Sequence, residues 1–446
     1  MVIAVLVTAA ACVIRVGGGP SGAPGGNDPY RGGLGRGGKA PSAEQVDKTV
    51  RDAIADIERY WGATFPGLAE GRAFTPVKGG YHPYTRTTPP PPCGDEQPQY
   101  QPNAFYCPAG DFIAWDAEVL MPKLQTDFGP FLVAVVMAHE YGHAIQARLG
   151  TTDQPTIVLE QQADCFAGGW AGDVRAGRSG TFKDLTPDEL DSTVAGLLML
   201  RDQPGTPALA EGAHGNAFDR VRAFQDGFEQ GAGRCAKYRA DNLPVTEVPF
   251  TNRAEAATGG DLPYDQTVRV LSDDLQAYWG RTFPQLAGRS WQPLRVVPFD
   301  PARPPRCAGK TRSREEATDA AFYCAADQYV AFDGVGLGPT LHDRIGDNAV
   351  GMLLGDLFAQ AVQDRRGRPL QGRDAQLTID CLAGSWTSDL LHRDDPSVVR
   401  LSPGDLDEAV TALLVLGRTG TSGGVSAFDR IAAYRDGVLD SFSACG

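Results

Sequence analysis

Hydrophobic positions predict a buried helix near the middle of the first half of the chain. The segment from Phe131 to Leu149 follows Pro130, a residue tolerated at the first position of a helix, and precedes Gly150, which suits a left-handed stop. The segment begins FLVAVVMA, which is apolar on every side of a helix. We therefore expect this helix to lie in the core.

Other elements follow from the same patterning. A helix is expected over Gln154 to Arg175, and an amphipathic helix follows Ser42, a residue suited to capping it. Asp111 to Asp116 is a short apolar run between two aspartates and includes branched and aromatic side chains, which predicts a strand. The first half is thus expected to be α+β and mainly helical.

The whole pattern occurs twice. Residues 57–68, 103–107 and 217–227 return in similar form at 275–286, 320–324 and 427–437. We therefore predict a tandem duplication. The expected divisions are a signal or anchor at 1–16, a Gly/Pro-rich tether at 17–41, a first domain at 42–242, a linker at 243–262 and a second copy at 263–446.

The N-terminal stretch predicts contact with a membrane or export across it. Val2 to Ile14 is a continuous apolar run, shorter than the roughly 20 residues that span a bilayer. Cys12 follows small residues, as a lipid-modified cysteine does, although it is also explained as part of the apolar run. A lipid anchor, a membrane-embedded segment and a cleaved signal of a secreted protein all remain open.

The net charge and the cysteine content restrict the possible functions and the cellular location. A formal net charge of −14 argues against a nucleic-acid-binding surface. Nine cysteines are many for a reducing compartment and predict disulfides, hence a location outside the cytoplasm.

Three polar residues interrupt the buried helix. His139 and His143 are four residues apart and share one helical face, so both rings can reach a single point, and Glu140 stands beside that point. This H-E-x-x-H spacing predicts two zinc ligands and a general base. The metzincin continuation is excluded, since Gln146 and Leu149 stand where glycine and histidine would be required.

A catalytic zinc site needs a third protein ligand. Glu160 is the best candidate, because Asp164 lies one turn further along the same predicted helix and can orient a zinc-binding histidine. Asp153 is the competing third ligand.

The residues HEYGHAIQ, EQQADCFAGGWA and AHGNAFDR resemble the bacterial family of putative neutral zinc metallopeptidases, which is related to membrane-anchored and lipoprotein peptidases. The resemblance covers roughly residues 45–240 and implies a zincin-like fold, with His139, His143 and Glu160 on one zinc ion and Glu140 as base. In zincins a strand such as Asp111 to Asp116 often lies at a sheet edge beside the metal, where a peptide can add; an ordinary sheet strand is the alternative.

The second copy lacks this chemistry. Alignment places Asp356, Gln360 and Gln376 where the first copy has His139, His143 and Glu160, and it places Leu357 at the position of Glu140. Asp164 and Cys165 persist as Asp380 and Cys381. Because the ligands and the base are lost together while scaffold residues remain, we expect a degenerate copy without metal.

The cysteines follow the repeat, four per copy, with Cys12 outside it. Short loops close readily and the remaining cysteines fall as one pair in each copy. The predicted bridges are Cys93–Cys107, Cys165–Cys235, Cys307–Cys324 and Cys381–Cys445.

The predicted function is zinc-dependent hydrolysis of peptide bonds outside the cytoplasmic membrane, acting on a peptide or protein substrate, with Glu140 activating a zinc-bound water. His214, which is replaced by Gly424 in the second copy, is a candidate to stabilise the oxyanion. Two alternatives remain: a zinc amide hydrolase of cell-wall peptides, and a non-catalytic binding or structural module.

Overall fold

The chain divides into two compact units, Met1–Glu247 and Val248–Gly446. The computed structural model describes residues 40–95, 99–210, 213–311, 320–393, 399–416 and 424–446. The predicted anchor at 1–16, nearly all of the predicted tether and Cys12 lie outside these ranges. Within these ranges, every helix is too short or too polar to cross a lipid bilayer.

Unit 1 combines a small sheet with a larger set of helices. Its first helix begins at a reciprocal cap, in which Ser42 Oγ accepts from the Gln45 amide and Gln45 Oε1 accepts from the Ser42 amide. In chain order the elements are α1 (Ala43–Leu68), β1 (Gly80–Tyr84), β2 (Ala104–Cys107), β3 (Phe112–Asp116), α2 (Leu120–Phe128), α3 (Pro130–Leu149), α4 (Thr156–Arg175), α5 (Pro187–Met199), α6 (Ala217–Gln230) and α7 (Ala232–Cys235).

The structure excludes the edge-strand alternative for Asp111 to Asp116 and leaves that of an ordinary sheet strand. The sheet order is β1-β3-β2, so β3 is the central strand. β1 runs parallel to β3 from Gly80 opposite Phe112 to Tyr84 opposite Asp116, and β2 runs antiparallel on its other side. Every residue of β3 is buried. The edge strand that contacts α3 is β2, whose Tyr106 amide donates to Glu140.

Asp116 ends β3 and starts α2. Its carboxylate accepts from the amides of Glu118, Val119 and Leu120 at 2.9–3.1 Å. Asp333 is the corresponding aspartate of unit 2. Its carboxylate accepts from the amides of Val335, Gly336 and Leu337 at the start of the corresponding helix. These aspartates therefore have a capping role.

The long helices follow their sequence signals. α3 has Pro130 in its first turn and ends at Gly150, whose φ is 72° in the left-handed region. α4 begins at Thr156, two residues later than expected, because Pro155 precedes it and a proline disfavours helical geometry in the residue before it.

α4 and α6 pack with their backbones in close approach, which glycines make possible. A Cβ on Gly168 would lie 1.9 Å from the Phe224 carbonyl oxygen, and a Cβ on Gly227 would lie 1.8 Å from the Cys165 carbonyl oxygen. Any side chain at either position would push the helices apart. This contact holds the helix that carries Glu160 against α6.

Unit 2 repeats this order of helices and strands, with a short extra ribbon. Its main sheet has the order β4 (Arg295–Phe299), β8 (Tyr329–Asp333), β7 (Ala321–Cys324), with β4 parallel and β7 antiparallel to the central β8. The elements are α8 (Arg253–Thr258), α9 (Tyr264–Ala287), β4 (Arg295–Phe299), β5 (Arg306–Cys307), β6 (Lys310–Thr311), β7 (Ala321–Cys324), β8 (Tyr329–Asp333), α10 (Leu337–Arg344), α11 (Asp347–Arg365), α12 (Arg373–Leu391), α13 (Asp405–Leu416) and α14 (Ala427–Asp440), followed by a 3-10 turn at Ser441–Ala444.

The close helix contact also recurs in unit 2. A Cβ on Gly384 would lie 2.1 Å from the Tyr434 carbonyl oxygen, and one on Gly437 would lie 2.0 Å from that of Cys381. The disulfides are the four predicted pairs, Cys93–Cys107, Cys165–Cys235, Cys307–Cys324 and Cys381–Cys445. Among the described residues each bridge closes within one unit.

Candidate metal centre

Two helices bring the predicted ligands together. His139 and His143 project from α3 and Glu160 projects from α4, and one donor atom of each lies within 4.8 Å of the others. Glu160 Oε2 is 3.3 Å from His139 Nε2, and Glu160 Oε1 is 3.5 Å from His143 Nε2. Asp153, the alternative ligand, is exposed and lies outside this group.

Each imidazole is oriented by a hydrogen bond through its other nitrogen. His139 Nδ1 lies 2.7 Å from Asp164 Oδ1. His143 Nδ1 lies 2.9 Å from Gln146 Oε1, and the amide group of Gln146 donates to the Leu159 carbonyl, which leaves its oxygen to face the ring. Both Nδ1 atoms therefore donate, and in the neutral rings both Nε2 atoms carry lone pairs.

This donor set fits a metal ion. The two Nε2 atoms are only 3.3 Å apart, and the carboxylate of Glu160 faces both. Three electron-pair donors that converge in a buried place repel one another unless a cation lies between them. Without a metal, a proton supplies that charge: burial would lower the pKa of His139, but Asp164 and Glu160 raise it to about 10.

Glu140 lies next to this group in a fully buried position. Its Oε2 accepts from the Tyr106 amide of β2 at 3.0 Å, whereas its Oε1 has no hydrogen-bond partner. Burial raises the pKa of Glu140 to about 8, since its charged form is poorly solvated. The residue therefore offers one anchored oxygen and one oxygen that is available to exchange a proton.

The carboxylate of Glu160 stays ionised despite its burial. Burial by itself would raise the pKa of Glu160, but the neighbouring His143, His214 and His139 hold it well below its usual range. This contribution from His214 means that the loop before α6 brings that histidine close to the ligand group. Its main-chain amide and Nδ1 bond to Asp202 at 2.7 and 3.3 Å, and its buried Nε2 has no partner.

Two residues at the centre were not anticipated as site residues. Gln146, three residues after His143, is the orienting partner of that histidine. Arg220 of α6 donates from Nε and Nη2 to the two oxygens of Asp164 at 2.8 and 2.9 Å. The repeated A-F-D-R of residues 217–220 and 427–430 is the signal that marks this arginine.

Unit 2 brings its corresponding residues together without metal-binding nitrogens. Asp356 accepts from the amide of Gln360 at 2.7 Å and from that of Gln376 at 3.3 Å, and Arg430 pairs with Asp380 at 2.7 Å. Amides and a guanidinium thus surround the carboxylates. Gln363, at the position of Gln146, is buried and its Oε1 has no partner, because no imidazole stands before it.

Comparison with known proteins agrees with this geometry. Residues 31–238 match the model of the family described as putative neutral zinc metallopeptidase. This part of the chain is similar to that family. The family match spans nearly all of the first unit, including every ligand candidate, and implies zinc as the metal and a peptidase activity.

Relatives of this region occur in mycobacteria and in Escherichia coli. The uncharacterized protein Rv2575 of Mycobacterium tuberculosis is 28% identical over an alignment of 176 residues that covers 34% of this chain and 59% of the mycobacterial protein. The uncharacterized protein YpfJ of Escherichia coli K12 is 27% identical over 212 residues, 43% of this chain and 71% of YpfJ. No solved structure matches the chain significantly.

Proposed function

We propose that unit 1 is a zinc-dependent peptidase that hydrolyses peptide bonds outside the cytoplasmic membrane. His139, His143 and Glu160 hold the metal, and Glu140 is the general base. The observation that carries this proposal is that three buried electron-pair donors converge beside a Glu140 oxygen without a hydrogen-bond partner. A purely structural metal site requires the donors but has no use for an unpaired buried carboxylate oxygen.

Bound zinc would supply Lewis acidity, polarising the scissile carbonyl and making water a stronger acid. The residues of the chain do the remaining work. The Tyr106 amide fixes one oxygen of Glu140, so the other is held ready to accept the proton of the attacking water and return it to the leaving amine. Asp164 and Gln146 hold the two imidazoles in the tautomer that presents Nε2.

The proposal extends to the origin and location of the chain. We propose a zincin-like fold for unit 1 and a degenerate second copy of it in unit 2. Support comes from the shared order of elements and from Gln363, whose partnerless oxygen is explained by the loss of a histidine. Four disulfides favour an oxidising compartment, and a membrane tether through the N-terminal segment or Cys12 fits that location.

Glu140→Gln tests the catalytic role. The variant should retain zinc, because Glu140 is not a ligand, while turnover of a denatured protein substrate falls by about 10²–10⁴-fold, the usual contribution of a general base. Zinc content by elemental analysis and a protease assay measure the two effects. His139→Ala is the comparison and should lose both.

Full activity in Glu140→Gln would contradict the peptidase assignment and favour a binding or structural module. A parallel assay with cell-wall muropeptides separates a peptidase from a cell-wall amide hydrolase.

We further propose that His214 stabilises the oxyanion that forms during peptide cleavage. Asp202 accepts a hydrogen bond from Nδ1, so the buried, partnerless Nε2 carries a proton that it can donate to an oxyanion in the imidazolium form of the ring. His214→Ala should lower kcat by about 10²–10³-fold, as removal of an oxyanion donor does, with little change in KM or zinc content. An unchanged kcat would show that the ring has no part in the reaction.

A further inference from the structure

We propose that Arg220 is a positioning residue of the metal centre. It acts through Asp164 on His139 and not on the substrate. The inference rests on the proposed zinc site and adds a residue to it. The contacts run from Arg220 on α6 to Asp164 on α4 and from there to His139 on α3. Helix α6 therefore helps to orient a metal ligand that lies on another helix.

The geometry fixes the Asp164 carboxylate from two directions. Arg220 Nε donates to Oδ2 at 2.8 Å and Nη2 donates to Oδ1 at 2.9 Å, which is the two-pronged pairing that a guanidinium forms with a carboxylate. The remaining nitrogen, Nη1, donates to the Leu200 carbonyl at 2.5 Å at the end of α5. The guanidinium is therefore held by the fold, and the carboxylate cannot turn without breaking two charged hydrogen bonds.

A fixed carboxylate fixes the histidine. Asp164 Oδ1 accepts from both Arg220 Nη2 and His139 Nδ1, and all three side chains are almost fully buried. The proton of the imidazole is thus kept on Nδ1, and the lone pair of Nε2 is kept toward His143 and Glu160. If Arg220 were lost, Asp164 could reorient or take up a proton, and His139 would lose its constraint.

Unit 2 supplies an internal control. Arg430 forms the same two-pronged pair with Asp380, at 2.9 and 2.7 Å, but beyond that carboxylate lie Asp356 and Gln376 and no histidine. A role confined to folding predicts a similar loss of stability in the two arginine variants and an unchanged zinc affinity of the folded protein in both. A positioning role predicts that only Arg220 affects the metal.

The test measures zinc affinity of the full chain by competition with a chelating indicator, in wild type, Arg220→Lys, Asp164→Asn, the double variant and Arg430→Lys. Lysine keeps the charge but offers one ammonium group in place of the fork. We expect Arg220→Lys to weaken zinc binding by about 10-fold, at the lower end of outer-partner effects, and to alter the electronic spectrum of the Co²⁺-substituted protein. Arg430→Lys should leave zinc affinity and spectrum unchanged.

The double variant distinguishes an effect of Arg220 on zinc affinity that acts through Asp164 from one that is independent of Asp164. If Arg220 acts through Asp164, then Arg220→Lys adds no further loss of zinc affinity to Asp164→Asn. Unchanged affinity in Arg220→Lys, an additive loss in the double variant, or an equal loss in Arg430→Lys would each overturn the inference. If Arg220→Lys does not fold, as judged by near-ultraviolet circular dichroism, Arg220→Gln takes its place. Failure of wild type to bind zinc would instead refute the proposed function.

Discussion

Asp164 and Asp380 are buried aspartates at corresponding positions of the two units, and their pKa values are shifted in opposite directions. The neighbour that differs is His139 in unit 1 and Asp356 in unit 2. Burial would raise the pKa of Asp164, but Arg220 and His139 together hold it below its usual value. At Asp380, burial and the adjacent carboxylate of Asp356 outweigh Arg430 and raise the pKa to about 6. Aspartate at position 356, where unit 1 has a histidine, therefore makes the stability of unit 2 depend on the protonation of Asp380.

This difference predicts how Asp356→Asn affects stability. The folded-state pKa of Asp380 lies above its value in an unfolded chain, so the folded state binds more protons between about pH 4 and 6, and stability is lost as pH rises through that range. Removing the charge of Asp356 removes the repulsion that raises the pKa of Asp380. The variant should be more stable than wild type by about 1 kcal/mol at pH 7, roughly one pKa unit, with a smaller gain at pH 4.5.

Urea unfolding at the two pH values measures this difference. Asn keeps one oxygen that can accept from Gln360 but replaces the oxygen that accepts from Gln376 and Arg430, and the loss of those two bonds should cost the same at both pH values. An equal gain at both pH values would exclude repulsion between the two carboxylates as the cause.

The sequence predicts the inner residues of the centre better than the outer ones. His139, Glu140 and His143 follow from helical spacing alone, and Glu160 follows from a second pair four residues apart. Gln146 and Arg220 do not, because an orienting partner requires only a donor or acceptor within reach. Such a partner can come from any distance along the chain, as the 56 residues between Arg220 and Asp164 show.

At the level of elements, the contact between α4 and α6 depends on glycines. Gly227→Ala would place a methyl group against the Cys165 carbonyl, next to Asp164 in the chain. We expect a loss of about 1–3 kcal/mol in the free energy of unfolding, the usual cost of overpacking, together with weaker zinc binding. Denaturant unfolding and zinc competition measure the two effects.

Gly62→Ala is the matched control. Gly62 lies inside α1, is exposed, and has no neighbour within 4 Å of an added Cβ. The substitution should stabilise the protein by up to about 1 kcal/mol, since alanine favours a helix more than glycine does. If both variants lost stability equally, the close approach of α4 and α6 would not be the reason.

Helices were easier to predict than sheet order. The bounds of α3 follow from Pro130 and Gly150, which mark its ends chemically. The central position of β3 does not follow from its own residues, because it depends on a partner, β1, whose sequence GYHPY contains a proline and lacks a clear alternation. Pairing between strands separated along the chain is a property of the fold and not of either segment.

At the level of the whole molecule, unit 2 is expected to retain the surroundings of a metal site. Asp356→His, Gln360→His and Gln376→Glu together would restore the ligand set, with Asp380 and Gln363 already placed to orient the new imidazoles. We expect zinc content to rise from one to two ions per chain.

Elemental analysis after dialysis measures this stoichiometry. Asp356→Asn with Gln360→His provides the control, since it adds a single histidine and should leave the content unchanged. Failure of the triple variant to bind a second zinc ion, although it folds, would show that unit 2 has not kept the surroundings of a metal site.

Arg220 and Arg430 each pair with a buried aspartate, but Arg430 also reaches Asp356, so in unit 2 a side chain supplies positive charge to the group that corresponds to the proposed metal ligands of unit 1. If unit 1 holds zinc as proposed, a chelator would weaken unit 1 and leave unit 2 intact. Loss of the ion would then remove the proposed activity without unfolding the whole chain, and unit 1 could be reloaded when the ion returns.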